Sequence, residues 1–401
     1  MSFRKLYYKN VDLKGQTVVV RVDFNVPLTP DLKIDDNARI RKVLPTIEHL
    51  LSVDGTKIVL MSHLGRPDGV VKLEFSLKPV ADELQKLLGD KAKVKFALDC
   101  KKADDDVKAL GVHEVLLLEN LRFYPDEEKN APEFAAKLAS YGTYYINDAF
   151  GTAHRAHAST EGITKFFPGK SACGDLMGLE VQYLDGACSN PKRPFVGILG
   201  GAKLSDKLNV VTNLVKKVDK LIIGGGMSYT FLRAKGYEVG QALLQADKLR
   251  FCEAALKEFG DKIVLPIDFL AVEKLDQKAQ TSSEPKIFEL GHIPSNLEPC
   301  DMGPKTRELF AGIIKSAKTV VWNGPMGAFE IEKLQGGTFA IATAVAEATK
   351  LGAITVVGGG DSASAVEKSG VTVSHVSTGG GASLEYLEGK LLPGLEALTD
   401  A

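Results

Sequence analysis

Short runs of aliphatic and β-branched residues alternate with longer amphipathic stretches along almost the whole chain. Most of these runs are continuously apolar, which is typical of parallel strands covered on both faces. The runs are residues 17–22, 57–61, 115–118, 143–146, 195–200, 220–223, 262–265, 319–322 and 353–357. Between them lie helical patterns such as SLKPVADELQKLLG and APEFAAKLASYG. The alternation predicts an α/β fold with doubly wound, Rossmann-like three-layer parallel sheets.

The length of 401 residues exceeds that of one small domain and predicts two domains joined by a hinge. The polar stretch LDGACSNPKRP at 184–194 is the best candidate for the boundary. We therefore expect an N-terminal domain at 1–183 and a C-terminal domain at 184–387. Residues 388–401 are expected to pack back on the first domain.

The charge balance excludes one broad class of function. Lys and Arg number 50 against 51 Asp and Glu, whereas a general nucleic-acid binder would carry a basic excess. The N-terminus lacks the apolar run of a signal peptide, and no segment has the length of a membrane span, so no membrane partner is expected. The five cysteines form no CxxC pair, which favours a reducing, cytoplasmic location.

Polar, mostly basic side chains follow the predicted strands of the first half. They are Asp23 and Asn25, then His63 and Arg66, then Asn120 and Arg122, then Asn147 and Asp148 with Arg155 further on. Ligands of parallel sheets bind beyond the carboxyl ends of the strands, where Arg and His would hold a phosphate and a carboxylate. A solvated surface role or a local salt bridge explains any one Arg. The same pattern after four strands favours anion binding.

Glycines follow the predicted strands of the second half. The segments are Gly200–Lys207, 224–226, 323–325, 358–362 and 378–381. Glycine between a strand and a helix lets backbone amides approach phosphate oxygens, and the helix N-terminus adds a favourable dipole. One such segment could be a tight turn without a ligand, but five in one sheet favour a polyphosphate ligand.

Three charged residues in these segments have two interpretations each. Asp361 could bind the Mg²⁺ that accompanies a nucleotide or could cap the next helix, and the residues alone favour neither. Lys203 and Lys207 would flank a helix that begins near Ser205, where a lysine opposes the helix dipole. An anion would compensate them; the alternative is that both are ordinary solvated lysines.

Several familiar motifs are absent or broken. No GxGxxG follows a strand, and FPGKS at 167–171 lacks the first glycine of a P-loop because position 164 is Thr, so a turn is predicted there. His154 and His157 lack a further ligand set for a metal. No nucleophile–base pair stands out, and phosphoryl transfer needs mainly positioning and charge stabilisation.

Ten segments together resemble the phosphoglycerate kinase family over nearly the whole chain. They are RVDFNVP, NARI, SHLGRP, ENLRFYPDEEKN, NDAFGTAHRAHAS, GGAKLSDK, GGGM, WNGPMGAFE, GGGDS and STGGGASLEYLEGK. The resemblance implies reversible transfer of a phosphoryl group from 1,3-bisphosphoglycerate to ADP, giving 3-phosphoglycerate and ATP with Mg²⁺, in glycolysis and gluconeogenesis. It also implies a monomer.

The resemblance implies a role for each matching residue. The phosphoglycerate would be bound by Asp23, Asn25, Arg39, His63, Arg66, Arg122 and Arg155. The nucleotide would be bound by Gly201, Ala202, Lys203, Lys207, Gly224, Gly225, Asn323, Pro325, Glu330, Gly359, Gly360, Asp361 and Ser362. The transferring group would be stabilised by Arg39, Lys203, Lys207, Gly358 and Gly381. Asp361 would then be the magnesium ligand.

Two pairs of residues depart from the family pattern. Pro299-Cys300 replaces a Gly-Leu pair expected near the adenine, and Gly178-Leu179 replaces Glu-Lys close to the hinge. Because the two substrates would occupy different domains, we expect hinge closure around 180–195 and 375–390. The alternatives are another ATP-dependent kinase acting on a carboxylate or acyl phosphate, and a nucleotide-sensing or scaffolding protein on a kinase fold.

Overall fold

The protein is described by a computed structural model, which places residues 4–401. It divides into two compact units, one of residues 4–182 with Leu391–Ala401 and one of Tyr183–Lys390. Each unit contains a six-stranded sheet whose strands are all parallel. The prediction of two parallel-sheet α/β domains is confirmed.

The N-terminal unit has six strands in the order β3-β4-β2-β1-β5-β6. They are β1 (Thr17–Val22), β2 (Lys57–Met61), β3 (Lys93–Ala97), β4 (Glu114–Leu118), β5 (Tyr144–Asp148) and β6 (Ser171–Cys173). The helices are α1 (Ala38–Ser52), α2 (Lys78–Leu88), α3 (Asp104–Lys108), α4 (Pro125–Glu128), α5 (Pro132–Ala139) and the start of α6 (Asp175–Cys188). The central strand β1 is buried from Val18 to Val22, as its continuous apolar run predicts.

The boundary between the units falls inside a helix. Residues 184–188 are the last residues of α6, and the polar, irregular part of the predicted linker is confined to 189–194. The unit division lies between Gln182 and Tyr183, and the returning C-terminal segment begins at Leu391. The apolar residues of α6, such as Val181 and Leu184, are buried, so the chain continues as a helix where a loop was expected.

The C-terminal unit has its parallel strands in the order β17-β16-β15-β7-β8-β9. Its strands are β7 (Phe195–Leu199), β8 (Lys220–Ile223), β9 (Ile263–Val264), β10 (Asp268–Val272), β11 (Leu275–Asp276), β12 (Thr281–Ser282), β13 (Lys286–Glu289), β14 (Glu298–Met302), β15 (Thr319–Asn323), β16 (Ile354–Gly358) and β17 (His375–Val376). The remaining helices are α7 (Leu208–Lys217), α8 (Met227–Ala234), α9 (Leu249–Phe259), α10 (Pro304–Ser316), α11 (Gly336–Lys350), α12 (Gly360–Ser369) and α13 (Gly381–Leu387), with α14 (Pro393–Glu396) in the returning segment.

A small antiparallel sheet, β13-β10-β14, was not predicted. Its strands read KIFE, DFLAV and EPCDM, so two of the three lack a continuous apolar run. Phe269 and Ala271 of β10 nevertheless pack into an apolar cluster with Tyr229 and Leu297. Tyr229 of this cluster also lines a cavity of the C-terminal unit.

Three further sequence expectations can be compared with the structure. Residues 167–170 form a turn in which Lys170 N donates to Phe167 O (2.9 Å), as predicted for the broken P-loop. All five cysteines are buried free thiols. Among residues 4–401, no helix has the length and apolarity that crossing a membrane requires.

Candidate active site

The carboxyl ends of neighbouring strands bring an anion-binding cluster together in the N-terminal unit. Since β4, β2 and β1 are adjacent, the residues that follow them, Arg122, His63 and Asp23, meet at one edge of the sheet. Arg39 reaches this edge from the first turn of α1, where its Nη1 donates to Asp23 Oδ2 (2.6 Å). The pair holds the Arg39 guanidinium in a defined orientation.

The loops around this cluster are held by hydrogen bonds of the same residues. Gly65 N donates to Asn25 Oδ1 (2.9 Å), and Arg122 Nη1 donates to Gly65 O (2.8 Å). Asn25 and Arg122 therefore position the loop that carries Arg66. Arg66 itself is exposed and makes no hydrogen bond or ion pair within the described chain. Arg155 is half-buried, and its Nε donates to His154 Nε2 (3.2 Å).

A buried arginine beneath the cluster was not identified from the sequence. Arg21 in β1 is fully buried, its Nε donates to Ser159 Oγ (2.8 Å), and its Nη2 lies 3.2 Å from His63 Nδ1. Ser159 in turn donates from Oγ and from its backbone N to the buried Glu127 carboxylate (2.5 and 3.0 Å). The sequence did contain a signal for this arginine. It interrupts the otherwise apolar run TVVVRV of a buried strand, and a buried charge requires partners.

The electrostatics of the cluster are those of a site crowded with cations. Burial, with Arg21, Arg122 and Arg39 nearby, lowers the pKa of His63 well below its usual range. Burial, with Arg21, Arg122 and Arg155 nearby, lowers the pKa of His157 to about 3. The pKa of Arg122 is lowered to about 10, again mainly by burial. Both histidines are therefore neutral at pH 7, and an anion bound here would relieve the mutual repulsion of the arginines.

In the C-terminal unit, the glycine loops at the strand ends pack tightly against each other. Gly201 N donates to Pro325 O (2.9 Å) and Gly225 N donates to Met326 O (3.1 Å). A Cβ on Gly225, whose φ is +67°, would lie 2.8 Å from Gly201 N and 2.9 Å from Pro325 O. The amides of Gly200 and Gly224 are likewise taken by strand-end carbonyls.

This packing contradicts the prediction that these glycines present backbone amides to phosphate oxygens. The amides of Gly200, Gly201, Gly224 and Gly225 bond to protein carbonyls, so they are not free for phosphate oxygens. The glycines instead let three loops approach closely at the sheet edge. Gly201 and Gly225 nevertheless line the cavity of this unit.

Free amides are found at the start of α12 instead. No protein acceptor within residues 4–401 takes the backbone N–H groups of Gly360, Asp361 and Ser362, which form the first turn of this ten-residue helix. Gly359, with φ +92°, occupies the N-cap position, so the interpretation of Asp361 as the N-cap is wrong. The Asp361 side chain is exposed in the first turn. The Ser362 hydroxyl is buried and accepts from Gly324 N (2.6 Å).

The remaining glycines of the predicted site lie at the end of β16 and at the start of α13. Gly358 is the buried last residue of β16. Gly381 begins α13 after Gly380, and Gly379 N donates to Ser377 Oγ (3.1 Å).

Lys207 is not a solvated lysine. Its Nζ donates to Asn323 O (2.9 Å) and to Asn323 Oδ1 (2.6 Å), and burial lowers its pKa to about 8 although Asp361 and Asp206 oppose the shift. It is the N-cap residue of α7, which begins at Leu208 after the short turn Leu204–Lys207 rather than near Ser205. Asn323 Nδ2 is buried and has no hydrogen-bond partner within the described chain. Lys203 is exposed.

A cavity of about 400 Å³ lies beside these groups. Gly201, Ala202 and Asp361 line it, together with a larger group of mainly apolar residues. The apolar members are Tyr229, Leu243, Leu275, Pro299, Cys300, Ala328 and Ile331, of which Leu275, Cys300, Ala328 and Ile331 pack into one cluster, and Glu298 and Gln277 are polar members. Pro325 and Glu330 also line the cavity. Pro299 and Cys300, which depart from the family pattern, are thus walls of this cavity and are both buried.

A metal would have to share its coordination with a ligand. Within residues 4–401, no group of three or more His, Cys, Asp or Glu side chains could hold an ion. Asp361 offers one exposed carboxylate beside the free amides of α12. One carboxylate completed by phosphate oxygens and waters is a typical environment for Mg²⁺, so the residues fit a magnesium–nucleotide complex.

The chain has an anion-binding cluster in one α/β unit and free amides at a helix N-terminus in the other. These are the features of a phosphotransferase. A sequence model of the phosphoglycerate kinase family matches residues 8–390. The phosphoglycerate kinase of Chloroherpeton thalassium is 51% identical over 407 residues, covering 99% of this chain and 100% of its own. The chloroplastic phosphoglycerate kinase of Volvox carteri is 50% identical, covering 97% of this chain and 84% of its own.

Solved structures agree with the sequence comparison. The structure of phosphoglycerate kinase from Coxiella burnetii is similar with a TM-score of 0.86 at 38% identity, and covers 98% of both chains. That from Pyrococcus horikoshii OT3 has a TM-score of 0.83 at 33% identity, also over 98% of both chains. The chain belongs to the phosphoglycerate kinase family and is a kinase.

Proposed function

We propose that the cluster at the N-terminal sheet edge binds 3-phosphoglycerate and 1,3-bisphosphoglycerate. The observation that carries this proposal is the convergence of Arg39, Arg122, Arg155 and two neutral histidines around the buried Arg21. Guanidinium groups bind phosphate and carboxylate by charge-assisted, often bidentate, hydrogen bonds. Asn25 and Asp23 then orient the loop and the Arg39 side chain, and the exposed Arg66 completes the site.

The nucleotide is proposed to bind at the cavity of the C-terminal unit. The free amides and positive end of α12 suit its phosphates, and the apolar lining of the cavity suits its base. The buried Asn323 Nδ2 is a donor that a phosphate oxygen would satisfy, and Lys207 lies beside it. Glu330 stands at the cavity as an acceptor for ribose hydroxyls.

The chemistry needs no general base in this chain. The accepting group is either the carboxylate of 3-phosphoglycerate or a phosphate of ADP, and both are ionised at pH 7. His63 and His157 are neutral and buried, so they serve as hydrogen-bonding groups rather than acids. Arg39, Lys203 and Lys207, with backbone amides near Gly358 and Gly381, would neutralise the transferring phosphoryl group. One such cation contributes about 10³-fold or more to phosphoryl transfer.

Asp361 would hold Mg²⁺, which would neutralise charge on the nucleotide phosphates when bound. Direct in-line transfer requires the two ligands to meet, which we assign to hinge bending around 180–195 and 375–390.

The enzyme is proposed to act as a monomer. A cytoplasmic location fits its five reduced thiols.

A coupled assay tests the reaction directly. Purified protein with 3-phosphoglycerate, ATP and Mg²⁺ should produce ADP and 1,3-bisphosphoglycerate, and chelation of Mg²⁺ should abolish the rate. Acetate, glycerate and 2-phosphoglycerate serve as control acceptors, because the second candidate, a kinase of another carboxylate, would use one of them in preference. Absence of turnover with bound nucleotide would favour a sensing or scaffolding protein.

A further inference from the structure

One charged side chain lies among the apolar residues of the nucleotide cavity. Glu298 is the first residue of β14, is half-buried, and lines the cavity together with Tyr229 and Cys300. Cys300 belongs to an apolar cluster whose members Leu275, Ala328 and Ile331 also line the cavity. Because the phosphates are assigned to the free amides at the start of α12, where Asp361 lines the same cavity, the base would pack against these apolar residues and meet Glu298.

The Glu298 carboxylate lacks a donor in the protein. No hydrogen bond or ion pair to it is made within residues 4–401, and the Cys300 thiol donates to its backbone O (3.2 Å) rather than to its side chain. Burial raises the pKa of Glu298, as expected for a carboxylate that has lost water without gaining a partner. The side chain is half-buried and lines the cavity, so its unused acceptors are available to a ligand bound there.

The two purines present different edges to such a group. An ionised carboxylate is an acceptor only, and two adjacent donors satisfy it best. Guanine offers N1–H beside N2–H₂, which matches both carboxylate oxygens. Adenine offers only the N6 amino group, and its neighbouring N1 lone pair would repel the second oxygen.

We propose that Glu298 is a specificity residue that makes this cavity bind guanine nucleotides, so that GTP and GDP are substrates alongside ATP and ADP. The inference rests on the proposed function, because it assigns a base to the same nucleotide site. Tyr229, whose ring lines the cavity, would pack against the base. Pro299 and Cys300 would supply the apolar wall beside it.

The experiment compares kcat/KM for GTP and for ATP at saturating 3-phosphoglycerate. Replacing Glu298 by Leu removes both acceptors, so the GTP:ATP ratio should fall by about tenfold or more, since a hydrogen bond to a charged group is worth at least that factor. Glu298→Asp keeps the carboxylate and should retain part of the preference. Glu289→Gln is the matched control, because Glu289 lies on β13, pairs with Lys305 and is outside the cavity.

The outcomes separate the two proposals. A lower ratio in Glu298→Leu, partly restored in Glu298→Asp and unchanged in Glu289→Gln, supports the assignment. Turnover with ATP but none with GTP, or a ratio that Glu298→Leu leaves unchanged, overturns it while the proposed reaction stands. No turnover with either nucleotide would instead overturn the proposed reaction.

Discussion

The buried Lys207 makes activity sensitive to pH on the alkaline side. Its pKa is about 8 in the unliganded protein because burial penalises the ammonium more than Asp361 and Asp206 stabilise it. At pH 9 only about one tenth of the molecules retain this charge, and at pH 10 roughly one hundredth. Since kcat/KM reports the free enzyme, its value for ATP should fall about tenfold per pH unit above pH 8.

The corresponding kcat should behave differently. Nucleotide phosphates beside Lys207 favour its charged form, so the alkaline limb of kcat should move to higher pH than that of kcat/KM. Stability should change in the opposite direction to kcat/KM. The folded pKa lies below that of an unfolded lysine, so between these values the folded state binds fewer protons and the Lys207 contribution to stability rises with pH. Loss of the Lys207 charge therefore lowers activity without itself destabilising the fold.

The assay is a coupled measurement of 3-phosphoglycerate phosphorylation from pH 6.5 to 9.5, with thermal unfolding at each pH. Lys207→Met should lower the rate by about 10³ at all pH values and remove the alkaline limb. Lys203→Gln, which alters an exposed lysine, should lower the rate but keep the limb. A kcat/KM profile that stays flat to pH 9.5, or a limb that survives in Lys207→Met, would refute the assignment.

Three further predictions concern transition-state charge, loop packing and domain motion. Arg39→Ala should lower kcat by about 10³ or more with a much smaller rise in KM, because this group acts mainly on the transferring phosphoryl. Steady-state kinetics in which KM takes most of the change would make Arg39 a binding residue. Gly324→Ala should reduce the free energy of unfolding by about 2–4 kcal/mol in urea titrations, because Gly324 has φ +97° and a Cβ would collide with Gly200 O and Lys207 Nζ. Gly312→Ala, in open space on α10, is its control and should stabilise by about 1 kcal/mol. Small-angle scattering should show a smaller radius of gyration with both substrates bound than without them, and unchanged dimensions in an active enzyme would count against hinge closure.

The parallel sheets were predictable because their strands are buried on both faces. The runs at 17–22, 57–61 and 220–223 match β1, β2 and β8 end to end. The edge strands β3, β6 and β17 were missed. SAC and HV are too short to form an apolar run, and in the half-buried KVKFA lysines interrupt it. In β14, tertiary packing with β10 overrides the poor strand propensity of Glu298, Pro299 and Asp301.

The residue types that form the candidate site could be predicted from the sequence, but the contacts between them could not. The ends of parallel strands meet by topology, so the convergence of His63 and Arg122 follows from the order of the strands. Which glycine amides stay free does not follow, because Gly201 and Gly225 bond to a loop more than 100 residues distant in sequence. Arg21 donates to Ser159, and Ser159 donates to Glu127; these residues lie on different segments, so their contacts become visible only in the folded chain.

Crossed titration calorimetry tests most directly whether each unit binds one substrate. Arg66→Gln and Lys203→Gln are a matched pair, because both side chains are exposed and no protein hydrogen bond or ion pair within residues 4–401 involves them. We expect Arg66→Gln to weaken 3-phosphoglycerate and leave MgADP unchanged, and Lys203→Gln to do the reverse. If either variant weakened the other ligand instead, or if both ligands were affected equally, the assignment of one substrate to each unit would be contradicted.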